Sequence, residues 1–435
     1  MDRPLRDLPA DHPHLIHALA AALDGSGPAL RVLARGADDA TGHDDARDDL
    51  RPERRDEAGT GPHVEAGVPP HDETRTPPHD EARAGVRDEA AAGPRVPAGV
   101  AVVLRTSGST GTPRDVLLSA AALRASGEAT LRRIGGPGAW LLVLPPDHVA
   151  GLQVLARAAL AGTAAHVAPA GPFRPAAFAA AAAALPASGR RYTSIVPTQL
   201  VRLLDDEAGR AVLRGFDTVL LGGSGIPPAL LDEAAAAGVR VVTTYGMTET
   251  CGGCVYDGVP LDGVRARLAE DGRVLLAGPV LADGYLGRPD LDAATFLVDG
   301  DGTRWLRTSD LGRFDAEGRL VILGRADDVI ITGGVNVSPA PVEELLAGLA
   351  TVREACVVGV PDDEWGQSVV ALLVVGPSGP PSLAEVRALV AAHHGAAAAP
   401  RRLVVVDALP TRGPGKPDRR AAAALAAAAP DPATA

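Results

Sequence analysis

The segment Thr106–Arg114, Thr-Ser-Gly-Ser-Thr-Gly-Thr-Pro-Arg, gathers small residues, hydroxyls and a cation into a short stretch that could cradle an anion. Gly108 and Gly111 let backbone N–H groups approach a phosphate closely. Thr106, Ser107, Ser109, Thr110 and Thr112 add hydroxyls, and Arg114 adds charge. No Lys-Ser/Thr pair follows Gly111, so this is not the G-x-x-x-x-G-K-[ST] loop. By itself the segment reads as a phosphate grip, with a flexible Ser/Gly turn as the alternative.

Further segments narrow the choice. Thr244-Tyr-Gly-Met-Thr-Glu-Thr250 offers an aromatic face at Tyr245, a close-approach glycine at Gly246, hydroxyls including Thr248, and the carboxylate of Glu249. Such a set suits a nucleobase, a phosphate and Mg²⁺, an ion that favours one carboxylate plus phosphate oxygens. Asp310, within Thr308-Ser-Asp-Leu-Gly312, can accept hydrogen bonds from two ribose hydroxyls. Arg325 and Asp327 lie in Gly324-Arg-Ala-Asp-Asp328, where the chain's texture changes again. Thr411-Arg-Gly-Pro-Gly-Lys416 carries the chain's one lysine in a glycine-rich stretch, where Arg stands almost everywhere else. The two side chains are not interchangeable where a compact ammonium is needed.

The elements that must hold these residues alternate. A helix is expected over 14–23 and a strand over 30–33, then from about Asp38 to Pro94 large apolar residues nearly vanish. That stretch contains an eight-residue repeat starting at Arg55, His63, His71, His79 and Arg87, too short and too polar to stack as a solenoid. It is expected to be a disordered, mixed-charge insertion. Folded structure is expected to resume at Val100. Strands over 100–104, 140–144, 194–196, 218–221 and 239–243, with helices over 119–133 (Ser119 as N-cap) and 151–161, imply a layered α/β domain on a mainly parallel sheet. After about Val255 strand-and-turn texture implies a β-rich unit, and a smaller α+β unit follows from Asp328. The Ala/Pro tail after Arg420 is expected to be frayed. The expected domains are 1–36 (folded N-terminal segment), 37–98 (insertion), 99–326 (nucleotide-binding), 327–420 (mobile C-terminal) and 421–435 (tail).

A net charge of −12 argues against nucleic acid as partner, and Ala-rich runs such as 176–185 are too short and weakly apolar to span a bilayer. A cytoplasmic protein is the expectation. Cys251 and Cys254 form a C-x-x-C pair with no second pair to complete a zinc site, so they are read as packing residues.

In this order the motifs resemble the acyl-adenylate-forming superfamily of acyl- and aryl-CoA ligases, adenylation domains and luciferases. The resemblance spans roughly Val100 to Arg420. Ser194-Ile-Val-Pro-Thr-Gln-Leu200, Leu221-Gly-Gly-Ser-Gly-Ile-Pro-Pro228 and Tyr245–Val255 with its Cys-Gly-Gly-Cys are similar to the o-succinylbenzoate–CoA ligase branch, of menaquinone biosynthesis, in its compact actinobacterial form. The resemblance implies a large N-terminal domain of layered α/β subdomains plus a β-barrel, and a small mobile α+β C-terminal domain. It implies ATP, Mg²⁺ and coenzyme A as reactants with a small carboxylic acid, and leaves the assembly open, a homodimer among the options. It implies that Ser107–Thr112, flanked by Thr106 and Arg114, grip the β- and γ-phosphates. Tyr245 and the glycines Gly222, Gly223 and Gly246 border the nucleotide, and Thr248 meets the α-phosphate. Glu249 ligates the metal, and Asp310 and Arg325 hold the ribose. Lys416 bridges carboxylate and phosphate, His148 lies beside the acyl pocket, and Asp327 is the hinge. The region before the phosphate segment is shorter than in most of the superfamily, and Arg114 stands where many members have Lys. Another acid–CoA ligase is the alternative within the class. Outside it stands a nucleotide-binding sensor, which has no use for a lysine bridging carboxylate and phosphate.

Overall fold

The computed structural model describes residues 2–34, 94–106, 113–411 and 417–429. The octapeptide repeat, Ser107–Thr112 and Lys416 lie outside the described residues.

The chain opens with β1 (Asp2–Pro9), α1 (Leu15–Asp24) and β2 (Ala29–Leu33), and continues with β3 (Arg95–Pro97), β4 (Val100–Thr106) and β5 (Arg114–Ser119). β2 lies between β1 and β4 and is parallel to both, with Leu30 beside Val102. β3 pairs antiparallel with β1, so folded structure resumes before Val100, on the strength of the buried Val96. The N-terminal segment is thus built into the same sheet as the strands that flank the phosphate segment. β4 and β5 are antiparallel with Thr106 opposite Arg114. Arg114 therefore stands on a strand, where the sequence suggested a loop running directly to a helix.

α2 (Ala120–Ile134) starts where expected: the Ser119 hydroxyl accepts from the N–H of Ala122 at 3.3 Å, a cap worth about 1 kcal/mol. β6 (Ala139–Leu142), α3 (Val149–Ala161), β7 (Ala165–Val167), α4 (Pro175–Ala183), β8 (Arg191–Ile195), α5 (Pro197–Leu204), α6 (Glu207–Leu213), β9 (Thr218–Gly222), α7 (Pro228–Ala236) and β10 (Val241–Met247) follow. β11 (Gly252–Tyr256) and β12 (Val259–Pro260) complete a seven-stranded sheet in the order β12-β11-β10-β9-β8-β6-β7. Its strands from β7 to β10 are parallel, as alternating strands and helices require. Its strand ends carry the motifs, the usual place for ligands in open α/β sheets.

The β-rich unit holds β13 (Arg265–Leu268), β14 (Arg273–Ala277), β15 (Gly284–Tyr285), α8 (Pro289–Thr295), β16 (Phe296–Val298), β17 (Arg304–Phe314) and β18 (Leu320–Arg325). β13, β14, β17, β16 and β18 form one sheet, while β15 crosses to the edge of the first sheet beside β5. The last unit has β19 (Ile330–Thr332), β20 (Val335–Val337), α9 (Pro339–Ala347), β21 (Val352–Asp362), β22 (Gly366–Val375), α10 (Leu383–His394), β23 (Arg402–Val405) and α11 (Arg419–Ala428).

α11 corrects the expectation of a frayed tail from residue 421. Asp418 caps it by accepting from Ala421 N–H at 3.1 Å, and Ala422 and Ala426, one turn apart, are fully buried against Cys356, Val358 and Val370. Alanine there makes a close helix–sheet contact that a larger residue would prevent. Arg419 fastens the same helix: its guanidinium donates to Glu343 of α9, to the Val357 carbonyl at 3.0 Å and to Asp328 at 2.9 Å.

Candidate active site

β10 delivers the first group. Its register against β11 shifts between Tyr245 and Gly246, and a Cβ at Gly246 would run into the Gly252 carbonyl, so glycine is required by the close approach of the two backbones. A Cβ at Gly222 would likewise lie 2.7 Å from the Thr244 carbonyl oxygen. The bulge aims Tyr245 toward the β-rich unit, where its hydroxyl donates to Asp310 Oδ2 at 2.7 Å. Asp310 is buried within β17, and its backbone N–H donates to the Thr308 hydroxyl at 3.1 Å. Arg325, its cross-strand partner on β18, donates to Asp310 Oδ1 at 3.3 Å and to Asp327 at 2.9 Å. Burial, with the Asp310 charge behind it, pushes the Tyr245 phenol well above its ordinary value, so it is a donor throughout the working range.

The second group sits on the turn that follows. Thr248, Glu249 and Thr250 form a single 3₁₀ turn, closed by Cys251 N–H to the Thr248 carbonyl at 3.0 Å. Cys251 has φ +51°, unusual for a residue with a side chain. Two helices hold it there: Ser126 of α2 donates to its carbonyl at 3.0 Å, and Gln153 of α3 donates to the same oxygen. Below Gln153 on α3, Arg157 is buried without a carboxylate among the described residues. Its guanidinium lies 5.2 Å from the Trp140 ring and donates to the Tyr256 hydroxyl at 3.4 Å.

The third group joins Glu249 to the end of the phosphate segment. Tyr285 of β15 donates its hydroxyl to Glu249 Oε1 at 2.9 Å, and the Arg114 guanidinium lies 5.9 Å from the same ring. Pairing of Tyr285 with Val116 of β5 brings these residues together. Among the described residues no group of three or more His, Cys, Asp or Glu could hold a metal. A carboxylate held by one hydrogen bond, with the Arg114 guanidinium on the same tyrosine ring, is a donor set that suits Mg²⁺ on a nucleotide rather than a protein-only metal cage.

Tyr245, Asp310 and Arg325 therefore form one linked group, and Thr248, Glu249 and Arg114 lie along a second. His148 is exposed at the N-terminus of α3, making no capping hydrogen bond with its side chain. Asp327 is exposed in a short 3₁₀ turn after β18. The ends of the segment containing Lys416 meet through a bridge between Thr411 and Pro417. Tyr285, Ser126, Gln153 and Arg419 were not anticipated; each acts through pairing distant in sequence. Cys251 and Cys254 are buried free thiols, as expected of packing residues. Among the described residues no helix is long and apolar enough to cross a membrane.

A sequence profile described as AMP-binding enzyme matches residues 8–290, and one described as AMP-binding enzyme C-terminal domain matches 341–416. The chain is 49% identical over 326 residues to a probable 2-succinylbenzoate–CoA ligase of Mycobacterium tuberculosis, covering 74% of this chain and 83% of that one. It resembles the solved o-succinylbenzoate CoA synthetase of Bacillus subtilis in complex with an acyl-adenylate intermediate, with 29% identity, TM-score 0.64, and 74% of this chain and 68% of that chain covered. The same Bacillus enzyme in complex with ATP and magnesium ion gives 28% identity and TM-score 0.62, over 74% of this chain and 69% of that chain. With the motif-bearing strand ends assembled as described, the chain belongs to the AMP-binding enzyme family.

Proposed function

We propose that the protein is an ATP-dependent acid–CoA ligase that converts 2-succinylbenzoate to its CoA thioester through an acyl-adenylate. The observation that carries this reading is the linked group Tyr245–Asp310–Arg325 beside the Glu249 turn, in a chain 49% identical to a probable 2-succinylbenzoate–CoA ligase. The similarity to an enzyme solved with an acyl-adenylate, and with ATP and magnesium ion, supports the same chemistry here.

In the first half-reaction a carboxylate oxygen attacks the α-phosphorus of ATP, the α–β phosphoanhydride bond breaks, and diphosphate leaves. In the second, the thiol of coenzyme A attacks the acyl carbon and AMP leaves. Bringing two anions together is mostly a matter of position and charge, so the protein acts through fixed donors. Asp310 accepts from the ribose hydroxyls while Arg325 keeps its carboxylate in place. Tyr245 borders the base, with Gly222, Gly223 and Gly246 on the neighbouring strand ends. Thr106, Ser107–Thr112 and Arg114 grip the phosphates that depart, and Thr248 donates to the one that stays. Lys416 bridges the reacting carboxylate and phosphate, and His148 borders the acyl group. Glu249 would hold Mg²⁺, which neutralises phosphate charge when bound. We place the small domain, from about residue 327 onward, on a hinge at Asp327 that serves the two half-reactions in turn. The reaction belongs in the cytoplasm, where ATP and coenzyme A are supplied.

Incubation with ATP, Mg²⁺, coenzyme A and a panel of acids tests the reading. AMP release with 2-succinylbenzoate supports it; release only with another acid would move the substrate, and nucleotide binding with no acid turned over would favour a sensor.

A further inference from the structure

Tyr285 is held at three levels. Its backbone N–H donates to Asp292 Oδ1 at 2.7 Å, and it pairs across the sheet with Val116. Its neighbour Gly284 has φ +154°, and a Cβ there would lie 2.6 Å from the Asp292 carboxylate, so the short strand tolerates no side chain before the tyrosine. The ring is buried and packs at 46° against Phe296, with centroids 6.1 Å apart. A side chain fixed so fully has little freedom to follow its partner. The partner follows it instead.

That partner is Glu249, whose Oε1 accepts the Tyr285 hydroxyl at 2.9 Å. The Glu249 carbonyl is pinned as well, accepting from Ala282 N–H at 2.8 Å, three residues before Tyr285. A carboxylate only accepts, so the phenol is the donor and Oε1 keeps a lone pair while Oε2 is left for a cation. Among the described residues Glu249 makes no side-chain hydrogen bond other than the one from Tyr285. The opposite, positive influence comes through the ring: the Arg114 guanidinium lies 5.9 Å from its centroid. One rigid residue thus sets the orientation of Glu249 relative to the last residue of the anion-gripping segment.

We propose that Tyr285 is a positioning residue for the metal of the bound nucleotide, aiming the Glu249 carboxylate at it from the edge strand paired with β5, the strand that begins at Arg114. This rests on the reading of Glu249 as the metal ligand. Hydrogen-bond partners of a ligating carboxylate commonly govern metal affinity by ten- to a hundredfold.

The test uses the full chain with saturating α,β-methylene-ATP, and Mn²⁺ in place of Mg²⁺, its affinity read from water-proton relaxation of the ternary complex. Y285F is expected to bind Mn²⁺ about ten- to a hundredfold more weakly. Its affinity for AMP in EDTA, which depends on Tyr245, Asp310 and Arg325, stays at the wild-type value. Should Y285F not fold, Y285M fills the ring's site without a hydroxyl and is measured in its place. E249Q separates the two ideas. If E249Q loses Mn²⁺ while the Tyr285 variant binds it as wild type does, Tyr285 has no positioning role and the metal reading of Glu249 survives. If E249Q itself binds Mn²⁺ normally, that reading falls and the role of Tyr285 falls with it. A Tyr285 variant that loses AMP and Mn²⁺ affinity in equal measure shows a purely structural residue and overturns the proposal.

Discussion

The hydroxyl of Tyr245 and the carboxylate of Asp310 meet at 2.7 Å across 65 positions of sequence, joining the parallel sheet to the β-rich unit. Hydrogen bonds to charged groups contribute about 1.5–3 kcal/mol. Y245F is therefore expected to raise the dissociation constant for AMP roughly tenfold through a poorly held Asp310. D310A, which also leaves Arg325 without that partner, is expected to cost more. Calorimetric titration with AMP checks both, and a D310A variant with wild-type affinity would remove Asp310 from the nucleotide site.

Lys416→Ala is expected to cut acyl-adenylate formation by about 3–4 kcal/mol in barrier, the typical cost of one charge-stabilising donor. Thioester formation from supplied acyl-adenylate should proceed near the wild-type rate. Separate assays of diphosphate release and CoA consumption read the two halves. Equal loss in both would contradict a role confined to the first.

Arg419 concentrates the small unit's polar contacts: Glu343, Asp328 and the Val357 carbonyl all receive its N–H groups. Burial works against its charge, but the hydrogen bonds and charge of Glu343, with Asp328, outweigh it and raise the guanidinium above its ordinary value. Its side chain is 24% exposed and that of Glu343 16%, so solvent screens the pairs only in part. Arg419→Ala is expected to destabilise this unit by about 2–4 kcal/mol, since Glu343 is left without its cation. Limited proteolysis should open α11 and β21 before the parallel sheet; an unchanged cleavage pattern would contradict this.

The thiols give a pH signature. Burial pushes Cys254 up to about 12, and Cys251 is raised by the same cause. Below the ordinary thiol range both states are protonated and the packing is fully retained. As pH rises above about 9 the unfolded chain gains a thiolate that the folded one does not, so stability falls progressively toward about 12. The native protein at pH 8 should also resist thiol reagents. Rapid labelling of Cys251 or Cys254 in the folded protein would contradict their burial.

Much of the site was legible because its residues lie in compact local motifs. Tyr245, Glu249, Asp310 and Arg325 each stand in a short motif of aromatic, hydroxyl or charged residues, and the alternation of strands and helices accounts for the strand that leads into Tyr245. Tyr285 carried no such signal: Gly-Tyr between turns reads as connection, and its meaning comes from pairing with Val116 of β5. Ser126 and Gln153 sit inside helices and reveal themselves only where both reach Cys251. β5 carries no signal of its own in the sequence, being six residues between a glycine-rich segment and the helix cap at Ser119. The Ala-rich α11 looked unfolded for want of large apolar residues, yet small ones are what a tight helix–sheet seam needs.

Arg157 bears on how this enzyme could be made hardier. A guanidinium stays charged at any useful pH, and here burial works against that charge with an aromatic ring and a phenol as its partners. Its Nε has no hydrogen-bond partner among the described residues. Such positions are where a well-fitted apolar residue is neutral or stabilising. Methionine, long enough to fill the space against Trp140, is the replacement to try in a search for higher melting temperature, and it leaves the grip of Gln153 on the Cys251 turn untouched.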